Sequence, residues 1–377
     1  MTMIKVSRTQ YFFLIPNLLF SKAIGITVGV LARKIGGDAW TAMVIGFLAG
    51  TVLMLIMTYL NTKFPDKTII QYSEEIVGKV VSKFIGLVLA LFFAVAFATS
   101  ANVMTVHLKE YFLLETPFWA ICLVFVLLCM YGVFLGIEVA IRFALMGFIG
   151  ALLITFTMIL GTMSDFEYTR LLPLFDRGLV ANIYGSKYVF ADLTMAILAA
   201  GMLLPLLNNN EKVISVTIWS MLVSALLIII WPVFELGVMG AGAMKQYVVV
   251  CMQQVRCAQL TRYLPRYELI MVAFFTFSTF VQSATLFFCS VFSLKQVSGI
   301  KKDSYIILPL TVILFIITYL MAYDNNNYAL FLSYPWADIC TILGISIPLI
   351  LLALALVRGK LMTGVNPRTS PDKGGAK

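Results

Sequence analysis

Stretches of about 20 nearly charge-free apolar residues recur ten times along this chain. About 20 such residues in a helix cross the hydrocarbon of a bilayer. In lipid each backbone N–H and C=O must find its partner inside the segment, and a helix does that without a neighbour. The spacing therefore predicts an all-α polytopic membrane protein. Composition agrees: 61% of the residues are hydrophobic and 12% charged, against about 45–50% and about 25% in soluble domains.

The spans fall at about 11–32, 39–60, 84–107, 118–137, 143–163, 188–207, 213–237, 268–294, 304–322 and 336–357. The first apolar run is too long for the h-region of a signal peptide and reads as the first span. Residues 1–358 form a single membrane domain, and 359–377 read as a disordered cytoplasmic tail rich in Gly, Pro and Lys. Between spans two and three, Ile69, Ile70, Ile76, Val77, Val80, Val81 and Phe84 recur at helical spacing opposite Glu74, Glu75, Lys79 and Lys83. This segment, Thr68 to Phe84, reads as an amphipathic helix on the inner membrane surface.

A net charge of +9 does not point to nucleic acid, because the basic residues occupy short loops between apolar runs. With the N-terminus inside, sixteen Lys and Arg fall on the inner side and ten on the outer, which places both termini in the cytoplasm. Phosphate-binding loops, HExxH and G-x-S-x-G are absent, and His107 is the single histidine, so no enzyme, cofactor or metal chemistry is expected. Cys122, Cys129, Cys289 and Cys340 lie in apolar runs and read as small hydrophobes. Cys251 and Cys257 share one polar loop, either as two free thiols or as a disulfide.

Ten spans divide as about 11–163 and 188–357. An odd number per half inverts the second relative to the first. In inverted-repeat transporters the first helix of each half is broken near the midplane and holds the substrate. Charge inside a bilayer is costly, so Lys22, Asp192, Glu235 and Asp338 each need a reason. Lys22, between small Ser21 and Ala23 with Gly25 beyond and Pro16 and Asn17 a turn before, is either a cation at a ligand or coupling site or a snorkelling lysine. Asp192, in Phe190-Ala191-Asp192-Leu193-Thr194, stands near the outer end of span six; it either binds ligand, pairs with Lys22, or reaches water. Glu235 and Asp338 read as interfacial carboxylates. Polar residues also collect in span three, with Ser100 and Asn102, and in span eight, where Ser278, Gln282 and Thr285 share one face. Such a face looks at protein or water and never lipid; it bonds helices together or lines a cavity.

Several stretches resemble a known family. Val6-Ser7-Arg8-Thr9-Gln10, then Leu31 to Trp40, then Phe64-Pro65-Asp66-Lys67-Thr68-Ile69-Ile70-Gln71-Tyr72 with Gly78-Lys79, and Leu204-Pro205-Leu206-Leu207-Asn208 resemble the B subunits of spore germinant receptors. These belong to the amino acid–polyamine–organocation (APC) transporter superfamily. The resemblance implies a five-plus-five, LeuT-like inverted repeat in the cell membrane or spore inner membrane. It also implies a small germinant, often an amino acid, and partnership with A and C subunits. Where the family carries glycines and then a proline, this chain has Ser21, Lys22 and Ala23, with Val28 at the proline's place. The ligand-site residues expected on these grounds are Ser21, Lys22, Ala23, Gly25, Ser100, Asn102, Phe190, Asp192, Thr194, Ser278 and Gln282. Two other readings stay open: a proton-coupled amino-acid permease, and an assembly subunit without a ligand of its own.

Overall fold

In the computed structural model the chain is a bundle of helices. Residues 6–23, 25–208, 212–257 and 267–359 are described, without the side chains of 21–23, 257, 267–270 and 325–326. Ser21, Lys22 and Ala23 are therefore helical in backbone, but their expected contacts, the Lys22–Asp192 pair included, lie outside the described side chains. So does the tail beyond 359.

The helices are α1 (Arg8–Ala23), α2 (Thr27–Ile35), α3 (Ala39–Lys63), α4 (Ile69–Val77), α5 (Lys79–Tyr111), α6 (Phe118–Leu135), α7 (Ile137–Thr162), α8 (Leu179–Leu203), α9 (Val213–Met244), α10 (Val250–Cys257), α11 (Tyr267–Ser298), α12 (Ser304–Tyr323), α13 (Asn325–Phe331) and α14 (Ala337–Val357). Among the described residues nine helical stretches are long and apolar enough to cross a membrane. The first crossing is made differently, by α1 and α2 in two pieces. Pro16 stays inside α1 without ending it; α1 runs on to Ala23, and Gly25 is no longer helical.

The expected break in the first helix of the second half is absent: α8 runs unbroken from 179 to 203. α8 and α11 are the most enclosed spans. They pack against α3 and α14, and against α5 and α7, respectively. At the N-terminal end of the bundle, Val6 pairs with the stretch after α8: its N–H donates to Leu206 O at 2.7 Å, and Asn208 N–H donates to Val6 O at 2.9 Å.

The amphipathic segment is shorter than its periodicity suggested and faces protein. Thr68 and Gln71 form a reciprocal capping box, and Gly78 at φ 91° ends α4, a conformation that only glycine adopts freely. Val80, Val81 and Phe84 then belong to the exposed start of α5. Ile69, Ile70, Tyr72 and Ile76 are buried against the bundle, and Thr68 Oγ1 donates to Gln296 Oε1 of α11 at 2.8 Å. Apolar periodicity continued through Gly78 because a membrane helix begins there, so the pattern alone could not mark the break.

Candidate functional site

Between α1 and α2 the described residues 25–26 are not helical, and two cavities flank this break. The larger, about 210 Å3, lies between this break, one stripe of α5 and the connection after α9. Asn102, Val103, Val106, His107 and Glu110 line it from α5. This is the i, i+1, i+4, i+5, i+8 pattern that puts residues on one helix face. Tyr247, Val248, Val249 and Gln253 close it from one side and Tyr328 of α13 from another. The close approach of the 247–249 stretch requires Gly29: a Cβ there would come within 2.6 Å of the Val248 carbonyl oxygen and 2.7 Å of that of Tyr247. Arg33 Nη1 holds the same stretch by donating to Tyr247 O at 3.0 Å.

Two polar groups on this cavity lack partners among the described residues. Asn102 is 1% exposed, and neither atom of its carboxamide meets a described group in hydrogen-bond geometry, although the Tyr328 hydroxyl stands beside it. The nearby Tyr328 hydroxyl donates instead to Thr99 O at 3.1 Å. His107 places Nδ1 2.7 Å from Val103 O. A carbonyl only accepts, so Nδ1 carries the hydrogen and Nε2 is a bare acceptor; it has no partner either. Buried polar groups are nearly always paired, so two unpaired ones on the same cavity mark where a ligand would bond.

The smaller cavity, about 30 Å3, lies across the break and is lined by Thr27, Tyr188, Asp192 and Trp336 among others. Thr27 Oγ1 donates to Asp192 Oδ2 at 2.6 Å. Asp192 stands in the middle of α8, not near its end, because the helix begins nine residues earlier than its apolar run, at Leu179. A carboxylate there lies close to the start of α2, where helix N–H groups are unpaired.

The expected site residues thus separate. Gly25 and Asn102 line the larger cavity, and Gly25 and Asp192 the smaller. Phe190 and Thr194 lie on the opposite face of α8 from Asp192. Thr194 Oγ1 lies 3.1 Å from Cys340 O of α14, and a Cβ on Gly344 would meet both Phe190 and Thr194. Ser100, about 200° around α5 from Asn102, donates to Gln282 Oε1 at 2.6 Å. Gln282 Nε2 donates to Leu18 O at 2.5 Å, and Ser278 Oγ to Asn17 O at 3.3 Å. These three side chains tie α5 and α11 to α1.

Other lining residues were not legible in sequence. His107 read as a lone membrane-edge histidine, yet α5 continues a full turn beyond it to Tyr111. Tyr328 read as a loop residue, yet the last crossing begins near it, through α13 and a five-residue π-helical stretch, 332–336. The paired Cys loop is also corrected. Cys251 and Cys257 sit six residues apart on helix α10, some 9 Å along its axis, too far for a disulfide; Cys251 is a buried free thiol. Asp338 is an exposed carboxylate paired with Lys187 at 2.8 Å. Glu235, expected at the interface, is fully buried in α9.

A ten-crossing helical bundle with a broken first helix and a cavity at the break is a transporter-like membrane protein and not an enzyme. The structure of MhsT in complex with L-phenylalanine shares this fold, with a TM-score of 0.65 over 94% of this chain and 99% of that one at 11% identity. The spore germination protein family model matches residues 5–328, and the chain belongs to that family. Among curated relatives from Bacillus subtilis (strain 168), spore germination protein YndE is 26% identical over 48% of this chain and about half (51%) of its own length. Spore germination protein KB is 20% identical over 86% of this chain and 87% of its own. Putative spore germination protein YfkT is 25% identical over 74% and 76%.

Proposed function

We propose that this chain is the membrane-embedded sensing subunit of a spore germinant receptor. It binds a small nutrient, an amino acid, in the cavity beside Gly25 and signals occupancy to A and C subunits of the receptor. It sits in the spore inner membrane with both termini in the cytoplasm. The observation that carries this reading is the pair of unpartnered groups, the Asn102 carboxamide and His107 Nε2, on one cavity in a member of the spore germination family.

The chemistry of the lining favours an amino acid. At about 210 Å3 the cavity is smaller than the ~300–1,000 Å3 of drug-sized sites. The Asn102 carbonyl oxygen, His107 Nε2 and the Glu110 carboxylate are acceptors suited to an ammonium group, and the Asn102 N–H groups are donors for an oxygen of the ligand. The lining holds no Lys or Arg among the described residues.

The test is germination of spores carrying Asn102→Leu across a panel of amino acids, sugars and nucleosides, with abundance checked by immunoblot. Loss of response to one ligand class at normal abundance supports sensing here. An unchanged response at normal abundance removes the cavity from the mechanism. A second reading, an amino-acid permease, is favoured by the likeness to MhsT over nearly the whole chain. Uptake of labelled amino acid by vesicles holding this chain alone, driven by a pH gradient, would put transport in place of sensing.

A further inference from the structure

One acid in the bundle is used by none of this. Glu235 of α9 is fully buried, and neither carboxylate oxygen has a hydrogen-bond partner among the described residues. One turn before it, Trp231 Nε1 donates to Thr155 Oγ1 of α7 at 3.2 Å. α7 and α9, the fifth and seventh crossings, run in the same direction. The next turns along them therefore bring Glu235 level with Met158 and Thr162. Gln254 of α10 enters at that level, its Nε2 3.4 Å from both Met158 Sδ and Thr162 Oγ1. Thr162 Oγ1 donates its own hydrogen to Met158 O at 2.8 Å, so it accepts from Gln254 and fixes which end of that amide is nitrogen. Gln254 Oε1 is then a buried acceptor, and it has no donor. Cys251, one turn earlier on α10, is fully buried and within electrostatic reach of Glu235. Phe166, packed on Phe234 at 4.8 Å between ring centres, covers the outer side.

The cluster therefore holds three oxygen acceptors, two on Glu235 and one on Gln254, and is short of hydrogens. Among the described side chains, the surrounding charged groups do not compensate. From the connection after α7, Arg170 pairs with Glu167 at 2.7 Å and donates to the carbonyls of Gly237 and Val238. From α10, Arg256 lies over the Tyr111 ring at 4.9 Å. From the corner between α2 and α3, Asp38 accepts from the backbone of Asp176 and Arg177 and from Asn182. Arg33 of α2 is on Tyr247 O. Lys34 of α2 lies over the Tyr334 ring at 4.8 Å. Lys245 at the end of α9 stands beside Gly36. From α1, the Lys22 side chain lies outside those described. α7 contributes no titratable group at this level. An ionised carboxylate without a cation or donor is the costliest state of such a group, and a bound proton removes both the charge and the shortage.

We propose that Glu235, with Gln254 and Cys251, forms a proton-binding site in which the Glu235 carboxyl holds its proton while α10 is seated and releases it when α10 lifts. α10 contributes Gln253 to the larger cavity on its other side, and the 247–249 stretch that leads into it forms the adjoining wall. The proton at Glu235 and the closure of that cavity are then one equilibrium, whatever ligand the cavity takes.

The experiment uses the full chain in lipid nanodiscs and no ligand, so it does not depend on the sensing reading. Infrared difference spectra taken as pH is raised from neutral should lose the carbonyl-stretch band of a protonated carboxyl, and Glu235→Gln should lack that band throughout. Alkylation of Cys251, followed peptide by peptide, should then rise with pH roughly tenfold per unit more steeply in the wild type than in E235Q, because opening releases one extra proton. A wild-type band that E235Q retains, or identical Cys251 profiles, would overturn the proposal. Should E235Q not accumulate, Glu235→Asp keeps the acid; a displaced band supports the site, and an unmoved one rejects it.

Discussion

The two polar faces that meet near the first helix carry similar residues and opposite bookkeeping. On the side of α11, Ser100, Gln282 and Ser283 are joined to one another, and Gln282 and Ser278 donate to the carbonyls of Leu18 and Asn17. On the side of the cavity, Asn102 and His107 Nε2 hold nothing among the described residues. Both sets lie in membrane-spanning helices, and the same α5 supplies Ser100 to one and Asn102 to the other. What separates them is hydrogen-bond satisfaction: a satisfied face holds helices together, and an unsatisfied one on a cavity awaits a partner.

Substitutions can break this contrast. The largest effect is expected for Gln282→Leu, which strands the Leu18 carbonyl and the Ser100 hydroxyl. Thermal unfolding in detergent should show a loss of about 2 kcal/mol, and an unchanged melting curve would mean that α11 does not hold α1 through this face. Asn102→Leu should leave that curve where it was, since it removes no bond, while raising the ligand concentration for half-maximal response about tenfold, or about 1.4 kcal/mol. If N102L instead unfolds early, the two faces are alike and the distinction fails. His107→Phe keeps the ring near Phe275, 5.6 Å away, and removes the Nε2 acceptor together with the Nδ1–H bond to Val103 O. A shift of about threefold to fivefold in half-maximal ligand is expected, or roughly 1 kcal/mol, with a smaller loss of stability than in Gln282→Leu. The smallest effect belongs to Asp338→Asn. Its pair with Lys187 is partly exposed, and such pairs contribute about 0–1 kcal/mol, so both stability and response should stay within error.

The first helices of the two halves differ in a related way. α1–α2 breaks at the cavities, whereas α8 passes them unbroken and turns Asp192 toward the break. The pseudo-symmetry suggested by a five-plus-five count does not extend to the backbone at the site. One broken helix supplies the free backbone ends, and a continuous neighbour supplies a carboxylate to one of them.

Much of the site was within reach of the sequence, and the limits have physical causes. Gly25, Asn102 and Asp192 were candidates because glycine, an amide and a charge stand out among apolar neighbours. Ser100, Ser278 and Gln282 stood out equally, since residue type cannot tell a group that has found a partner from one that has not. Asp192 was set near a helix end because apolar runs mark where lipid contact begins and helices extend beyond them: α8 starts at Leu179. Tyr328 and His107 were passed over for the same reason. Glu235 does stand near an end, since α9 breaks at Gly240 with φ 74°, but it is covered by protein, which residue type does not show.

The sequence by itself determined that the chain lies in a membrane and how its crossings are spaced, because the cost of exposing charge and backbone to hydrocarbon acts locally along each segment. The tertiary structure alone decided which polar atoms are paired, which close approach Gly29 permits to the 247–249 stretch, and that Glu235 is sealed beneath α10. Those facts depend on residues far apart in the chain, brought within hydrogen-bond reach by packing that no single segment encodes.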